Sequence, residues 1–298
     1  MATTVVHLDY FGIRVRVIGA STDLAEVAFH AGPHALAVAA QPPHLDIAIG
    51  DAAGCSREAI VRRGELVVSR RRFRGWTNVP APIPPFAVLA DRLGLLQATV
   101  LARGGSVLAV VGSALSAKGA ISVALARRGW AFVSGQLLVL DRRSGHVLPY
   151  LAPIELRETA ARELATSGLA DGTWRRVPSR ISADVLFVRP ESLGRIVAPT
   201  ARLGRPQLVR LCRSPDERLH LTRSDHPPQL WPATAAPLLS TAPSYRLDLP
   251  ADEVADEAAE LICSSLAPHP PGSDGAAQEQ PCLDAPRTAR DPRAGLTV

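Results

Sequence analysis

The chain has 298 residues, 47% hydrophobic but only 4% aromatic, with a formal net charge of +5 and a pI near 9.5. This length exceeds one average domain, and its hydrophobic content builds a sizeable core made mostly of Ala, Val and Leu. The charge excess is modest, and three Tyr and six Phe offer little stacking surface, so nucleic acid is not the expected partner.

Cys55, Cys212, Cys263 and Cys282 form no CxxC pair and have no histidine at ligand spacing, which argues against zinc and against a disulfide framework. The first residues show no basic region followed by an apolar core, so no secretion signal is expected. The longest apolar region, about 105–126, is broken by Gly112, Ser116 and Lys118 and does not read as a membrane span. The expected location is cytoplasmic, with no membrane partner.

In chain order, residues 4–19 alternate with a period of two and place Arg14 and Arg16 on one face, which predicts a half-exposed strand or hairpin. Ser21-Thr-Asp23 opens a helix to about residue 30, with Asp23 and Glu26 suited to its first turn. Strands are predicted at 45–49 and 65–69, so residues 1–79 form a small α+β module. His30, His34 and His44 stand near prolines and read as loop residues. The basic cluster Arg70-Arg71-Arg72-Phe73-Arg74 reads as a solvated strand edge, where charge discourages edge pairing. Residues 80–85, Pro-Ala-Pro-Ile-Pro-Pro, read as a stiff linker to a second module over 80–266.

That module opens with a predicted helix at 86–94, a strand at 95–101 and a Gly104-Gly105 turn. The β-branched run from Ser106 then enters Gly112-Ser113-Ala-Leu-Ser116-Ala117-Lys118-Gly119, and a helix follows over 119–129. Strand, small-residue loop, lysine and helix are the parts of a phosphate-binding loop, in which backbone N–H groups cradle phosphates and a lysine neutralises them. Gly112 and Lys118 keep the spacing of G-x-x-x-x-G-K-[ST], while Ala117 replaces the second glycine and Gly119 the metal-binding hydroxyl. The alternative is a solvent-facing lysine on an amphipathic helix. Lys118 is the only lysine among 33 basic residues, the rest being arginine. A compact ammonium stands here where arginine serves elsewhere.

Downstream, strands are predicted at 130–133 and 137–141, with a hairpin through 142–145 into 147–151. Opposite charges near i,i+4 spacing predict a helix over 154–166. Strands follow at 184–189 and 207–211, and a last helix from Pro250 uses Val254, Ala258, Leu261 and Ile262 as its apolar face. Residues 267–298, rich in Pro, Gly, Ser and Asp, read as a disordered tail.

Residues 86–160 resemble the catalytic domain of the HPr kinase/phosphorylase family, and more specifically its stand-alone relatives linked to peptide natural-product clusters. The resemblance covers about half the chain and rests on order and spacing. It implies an α/β (α+β) fold, a P-loop kinase-like domain behind the N-terminal α+β module. That family has an upstream His-Gly pair, a loop G-x-S-G-x-G-K-S, a helix ending Arg-Gly, and a strand ending Ala-Asp-Asp. Here Gly112, Lys118 and Arg128-Gly129 match. The His-Gly pair falls on Gln97-Ala98, the loop glycines on Leu115 and Ala117, the metal-binding serine on Gly119, and the aspartates on Gly135 and Gln136.

The resemblance therefore implies a degenerate site. Phosphoryl transfer needs Mg²⁺ and a proton acceptor, and neither Gly135 nor Gln136 supplies a carboxylate. Nucleotide or phosphate contacts are assigned to Gly112, Ser113, Ser116, Ala117, Lys118 and Gly119, with no catalytic and no metal-binding residue. ATP is expected to bind weakly and Mg²⁺ not at all, and restoring Ser and Asp at 119, 135 and 136 is expected to create Mg²⁺ dependence. Asp141 and His146 read as turn residues, and Glu155 as a further downstream carboxylate. Three functions follow: a non-catalytic kinase-like partner of a peptide or protein, with homo-oligomers common in the family; an active ATP-dependent serine kinase; or a basic module for RNA centred on 70–74.

Overall fold

The computed structural model describes residues 4–37, 41–52, 56–73, 76, 83–112, 117–157, 169–177, 185–214, 218–224, 235–250 and 254–266. Ser113, Leu115, Ser116, Arg74, Cys55, Cys282 and the tail 267–298 lie outside these residues.

The fold is mixed α/β. Its first sheet holds β1 (Thr4–Tyr10), β2 (Ile13–Gly19), β3 (Leu45–Ala52), β4 (Ser56–Arg63) and β5 (Leu66–Phe73) in sequential order, with α1 (Ser21–Ala31) between β2 and β3. Phe11 and Gly12 turn the first hairpin with φ of 62° and 78°, the left-handed pair whose twist suits a two-residue hairpin loop. Along β2, Ile13, Val15 and Val17 are buried while Arg14 and Arg16 are half-exposed, as the period of two predicts. β2 and β3 run parallel, with α1 carrying the crossover. Asp23 lies in the first turn of α1 as expected, and it is also buried and paired with Arg57 of β4.

The second part contains β6 (Leu93–Arg103), β7 (Ser106–Val111), α2 (Lys118–Arg127), β8 (Ala131–Ser134), β9 (Leu137–Asp141) and β10 (Val147–Leu148). Then come β11 (Ile154–Arg157), β12 (Trp174–Val177), β13 (Val185–Val188), β14 (Pro206–Arg213), β15 (His220–Ser224), the short α3 (Ala236–Leu239), β16 (Ser244–Leu249) and α4 (Ala255–Ser265). The large sheet runs β10-β9-β6-β7-β14-β16-β15, with β8 also on β6, and β11-β13-β12 form a separate small sheet. β7 is central, antiparallel to β6 and parallel to β14. Its Leu108 and Val110 join the core that holds α2 and α4, while Val107 and Ala109 join the core on the other face. A strand buried on both faces is why this run is continuously apolar.

Several expectations are corrected. Residues 154–157 are strand, because Ile154 and Leu156 pair with Val188 and Leu186 of β13 and alternate inward with Glu155 and Arg157; residues 158–166 lie outside the description. The helix predicted at 86–94 is a single 3₁₀ turn, Phe86–Leu89, since pairing with β9 draws the chain into β6 from Leu93. Ile83, Pro84 and Pro85 are buried, so this part of the expected linker packs into the core. The last helix begins at Ala255 and carries Asp256 and Glu257 in its first turn.

His30 and His34 are not loop residues: His30 lies in α1 and His34 in a 3₁₀ turn, and both are buried. His34 ties β1 to the segment after β10. Its Nδ1–H donates to the Asp9 carbonyl at 3.1 Å, and its Nε2 accepts from the Leu151 amide at 3.1 Å, which fixes the tautomer. Tyr10 and Tyr150 flank it, with ring centroids 4.5 and 6.4 Å away.

Candidate functional site

The expected strand and helix are present in order: β7 ends at Val111 and α2 begins at Lys118. No side chain caps the start of α2, so its first amides keep the positive end of the helix dipole. Lys118 is partly buried and reaches back across the described ends of the loop, donating from Nζ to the Gly112 carbonyl at 2.7 Å. Gly112, Ala117, Lys118 and Gly119 are therefore gathered at one place. Ser113 and Ser116 are outside the described residues.

Glu155 is brought beside them by β11, which lies along α2. Burial lowers the Lys118 ammonium from 10.5 to about 8, against the pull of Glu155. Burial likewise raises the Glu155 carboxyl, against the pulls of Lys118 and then Arg157. The sequence did contain a signal for this placement: Ile-Glu-Leu-Arg alternates with a period of two. As the sole lysine, Lys118 can be read at one peptide by acylation. Its reactivity should titrate with a midpoint near 8, and Glu155→Gln should move the midpoint lower by removing the carboxylate that favours the charged form. A midpoint at or above the ordinary lysine value would contradict this burial.

The positions matched to the metal-binding residues are closed by the chain itself. A Cβ at Gly119 would clash with the Glu155 carbonyl oxygen and lie 2.7 Å from Leu156 Cδ2. A Cβ at Gly135 would lie 2.6 Å from the Ala152 carbonyl oxygen, 2.8 Å from Ile154 Cγ1 and 3.0 Å from the Pro153 oxygen. Gln136 is buried and donates from Nε2 to the Pro153 carbonyl at 2.9 Å. Thr99 Oγ1 donates to the Gly135 carbonyl at 3.2 Å. The segment 152–156 thus lies on both glycines and binds the glutamine. These residues do not fit Mg²⁺, which needs octahedral oxygen ligands and room for its waters. The expectation that side chains restored at 119, 135 and 136 would build a metal site is corrected: Gly119 and Gly135 have no space for a Cβ.

No family model matches the chain, and no curated protein matches it in sequence. A solved structure does resemble it: the Hpr(Ser) kinase/phosphatase of Coxiella burnetii. The two are 13% identical, the match covers 57% of this chain and 94% of that one, and the TM-score is 0.33.

Asp141 is the last residue of β9 and holds the turn after it, its Oδ1 accepting from the amides of Arg143 and Ser144 at 2.8 and 3.3 Å. His146 is exposed, and Gln97, at the matched histidine position, is exposed on β6. Arg70, Arg71 and Arg72 lie on β5, the terminal strand of its sheet, as the strand-edge reading expected. Among the described residues no group of three or more His, Cys, Asp or Glu could hold a metal ion. Among the same residues no helix is long and apolar enough to cross a membrane.

Proposed function

We propose that this chain is a kinase-like protein without phosphoryl-transfer activity, which serves as the binding partner of a peptide or protein in a biosynthetic or regulatory pathway. Lys118 and the loop from Gly112 keep a weak hold on a phosphate group or ATP. One observation carries the reading: β11 and the residues before it pack on Gly119 and Gly135, where the resembling family places its metal serine and first aspartate. Phosphoryl transfer depends on positioned charge neutralisation, and here backbone carbonyls and apolar side chains fill the space that charge would need.

The test is transfer of labelled phosphate from ATP to serine peptides and to free serine. No transfer is expected, and Lys118→Ala should weaken ATP or inorganic phosphate binding by about 1.5–3 kcal/mol, the size of a lost charged hydrogen bond. Transfer abolished by Lys118→Ala would overturn the proposal.

A second reading, an active ATP-dependent serine kinase, is favoured by the placement of Glu155 beside Lys118. Under it Glu155 would take the proton of the acceptor hydroxyl. Transfer that is present in the natural chain and lost in Glu155→Gln would establish this reading.

A further inference from the structure

Among the described residues β5 pairs with β4 alone, and a strand with one partner strand is an edge at which a further strand can add. The ladder with β4 skips Val68, and residues 69–73 beyond that irregularity pair regularly. Along this stretch Arg70 and Arg72 lie opposite Ile60 and Glu58, on one face, while Arg71 takes the other. The Arg70 and Arg72 side chains are 58% and 71% exposed. Both lean on the single Glu58 carboxylate at 3.6 and 3.8 Å, beyond hydrogen-bond length. One carboxylate thus faces two guanidiniums, and a cationic surplus stands beside a strand edge that has no partner strand among the described residues.

The same charges act differently on two kinds of visitor. A second copy of β5 would set arginine against arginine, so self-pairing is disfavoured. An acidic strand would be drawn in and would find backbone partners along the edge. Residues of an added strand sit opposite those of β5, with Cβ atoms about 4.5–5.5 Å apart. Carboxylates at positions i and i+2 would therefore meet Arg70 and Arg72. We propose that β5 is the docking edge for an acidic segment of a partner protein, which adds as a sixth strand with carboxylates at alternate positions. This goes beyond the phosphate-loop reading and does not depend on Lys118.

The probe is a short fluorescein-labelled peptide in which glutamate and threonine alternate, followed by anisotropy and by amide exchange at 66–73. The natural chain should bind it and gain protection along β5. The double variant Arg70→Glu/Arg72→Glu should bind roughly tenfold more weakly or worse, as expected for reversed charges at a docking edge. Arg143→Glu, the same charge change at an exposed turn, should leave affinity unaltered. A peptide N-methylated at alternate positions should lose binding, since it cannot pair along an edge. Absence of binding, equal binding of the N-methylated peptide, unprotected β5 amides, or tighter binding of a single-stranded RNA of equal charge would each overturn the proposal.

Discussion

Gly135→Asp is expected to destabilise the protein by about 4 kcal/mol or more, the combined scale of overpacking and of a buried, unpaired carboxylate. The side chain would enter a space bounded by the Ala152 and Pro153 carbonyl oxygens and by Ile154 Cγ1. Carbonyl oxygens repel a carboxylate, and the segment that would have to retreat is tied down by the Gln136–Pro153 hydrogen bond. Gly119→Ser and Gly119→Ala should both destabilise, since the clash with the Glu155 carbonyl begins at Cβ, before any hydroxyl. Replacing a helical glycine by alanine gains at most about 1 kcal/mol of helix propensity, which the ~1–3 kcal/mol of overpacking matches or exceeds. Thermal unfolding should record a Tm lower by roughly 10 °C for Gly135→Asp. A variant that keeps the natural Tm and binds ATP more tightly with Mg²⁺ would show that the segment 152–156 yields, and would reopen the metal site.

The second large effect is loss of stability in mild acid. Burial lowers His30 from 6.5 to about 4, with the Arg175 cation adding to it, and lowers His34 from 6.5 to about 4 despite its hydrogen bond to the Asp9 carbonyl. Both folded-state values lie below the unfolded one, so between pH 6.5 and 4 the unfolded chain binds more protons than the folded chain. Their contribution is fully present above pH 6.5 and falls as the pH drops. Between pH 7 and 5 each should remove about 2 kcal/mol, so denaturant titrations at the two pH values should differ by ~4 kcal/mol. Protonation of His34 also ends its acceptance from the Leu151 amide. His34→Gln should start less stable and lose about half of the acid dependence. A flat pH response would place both imidazoles in water.

The local parts of this architecture were legible in the sequence, and the long-range parts were not. The run from Ser106 announces itself, because a doubly buried strand is apolar throughout. β4 went unread because Arg57, Glu58, Arg62 and Arg63 surround only two buried residues, Ala59 and Val61. Ile154-Glu-Leu-Arg157 offered two signals, charges near i,i+4 and alternation over four residues, and only pairing with β13 decides between them. The same pairing puts Glu155 beside Lys118. His34 looked like a loop residue on its own Gly-Pro context, and the Leu151 amide, distant in sequence, makes it part of the core. That residues 135 and 136 are glycine and glutamine, where the resemblance expects aspartates, is read from the sequence. That their space is filled could be learned only from packing.

Isothermal titration calorimetry of ATP against the full chain, with and without Mg²⁺, tests the account most directly. If Gly119, Gly135 and Gln136 are packed beneath the segment 152–156, any ATP held by Lys118 and the loop has no protein-bound metal beside it. Binding should then be weak, should be reduced in Lys118→Ala, and should be the same within error in Mg²⁺ and in chelator. A tightening of roughly tenfold or more in Mg²⁺, about 1.4 kcal/mol, would mean that the chain supplies ligands to the ion and would contradict the account.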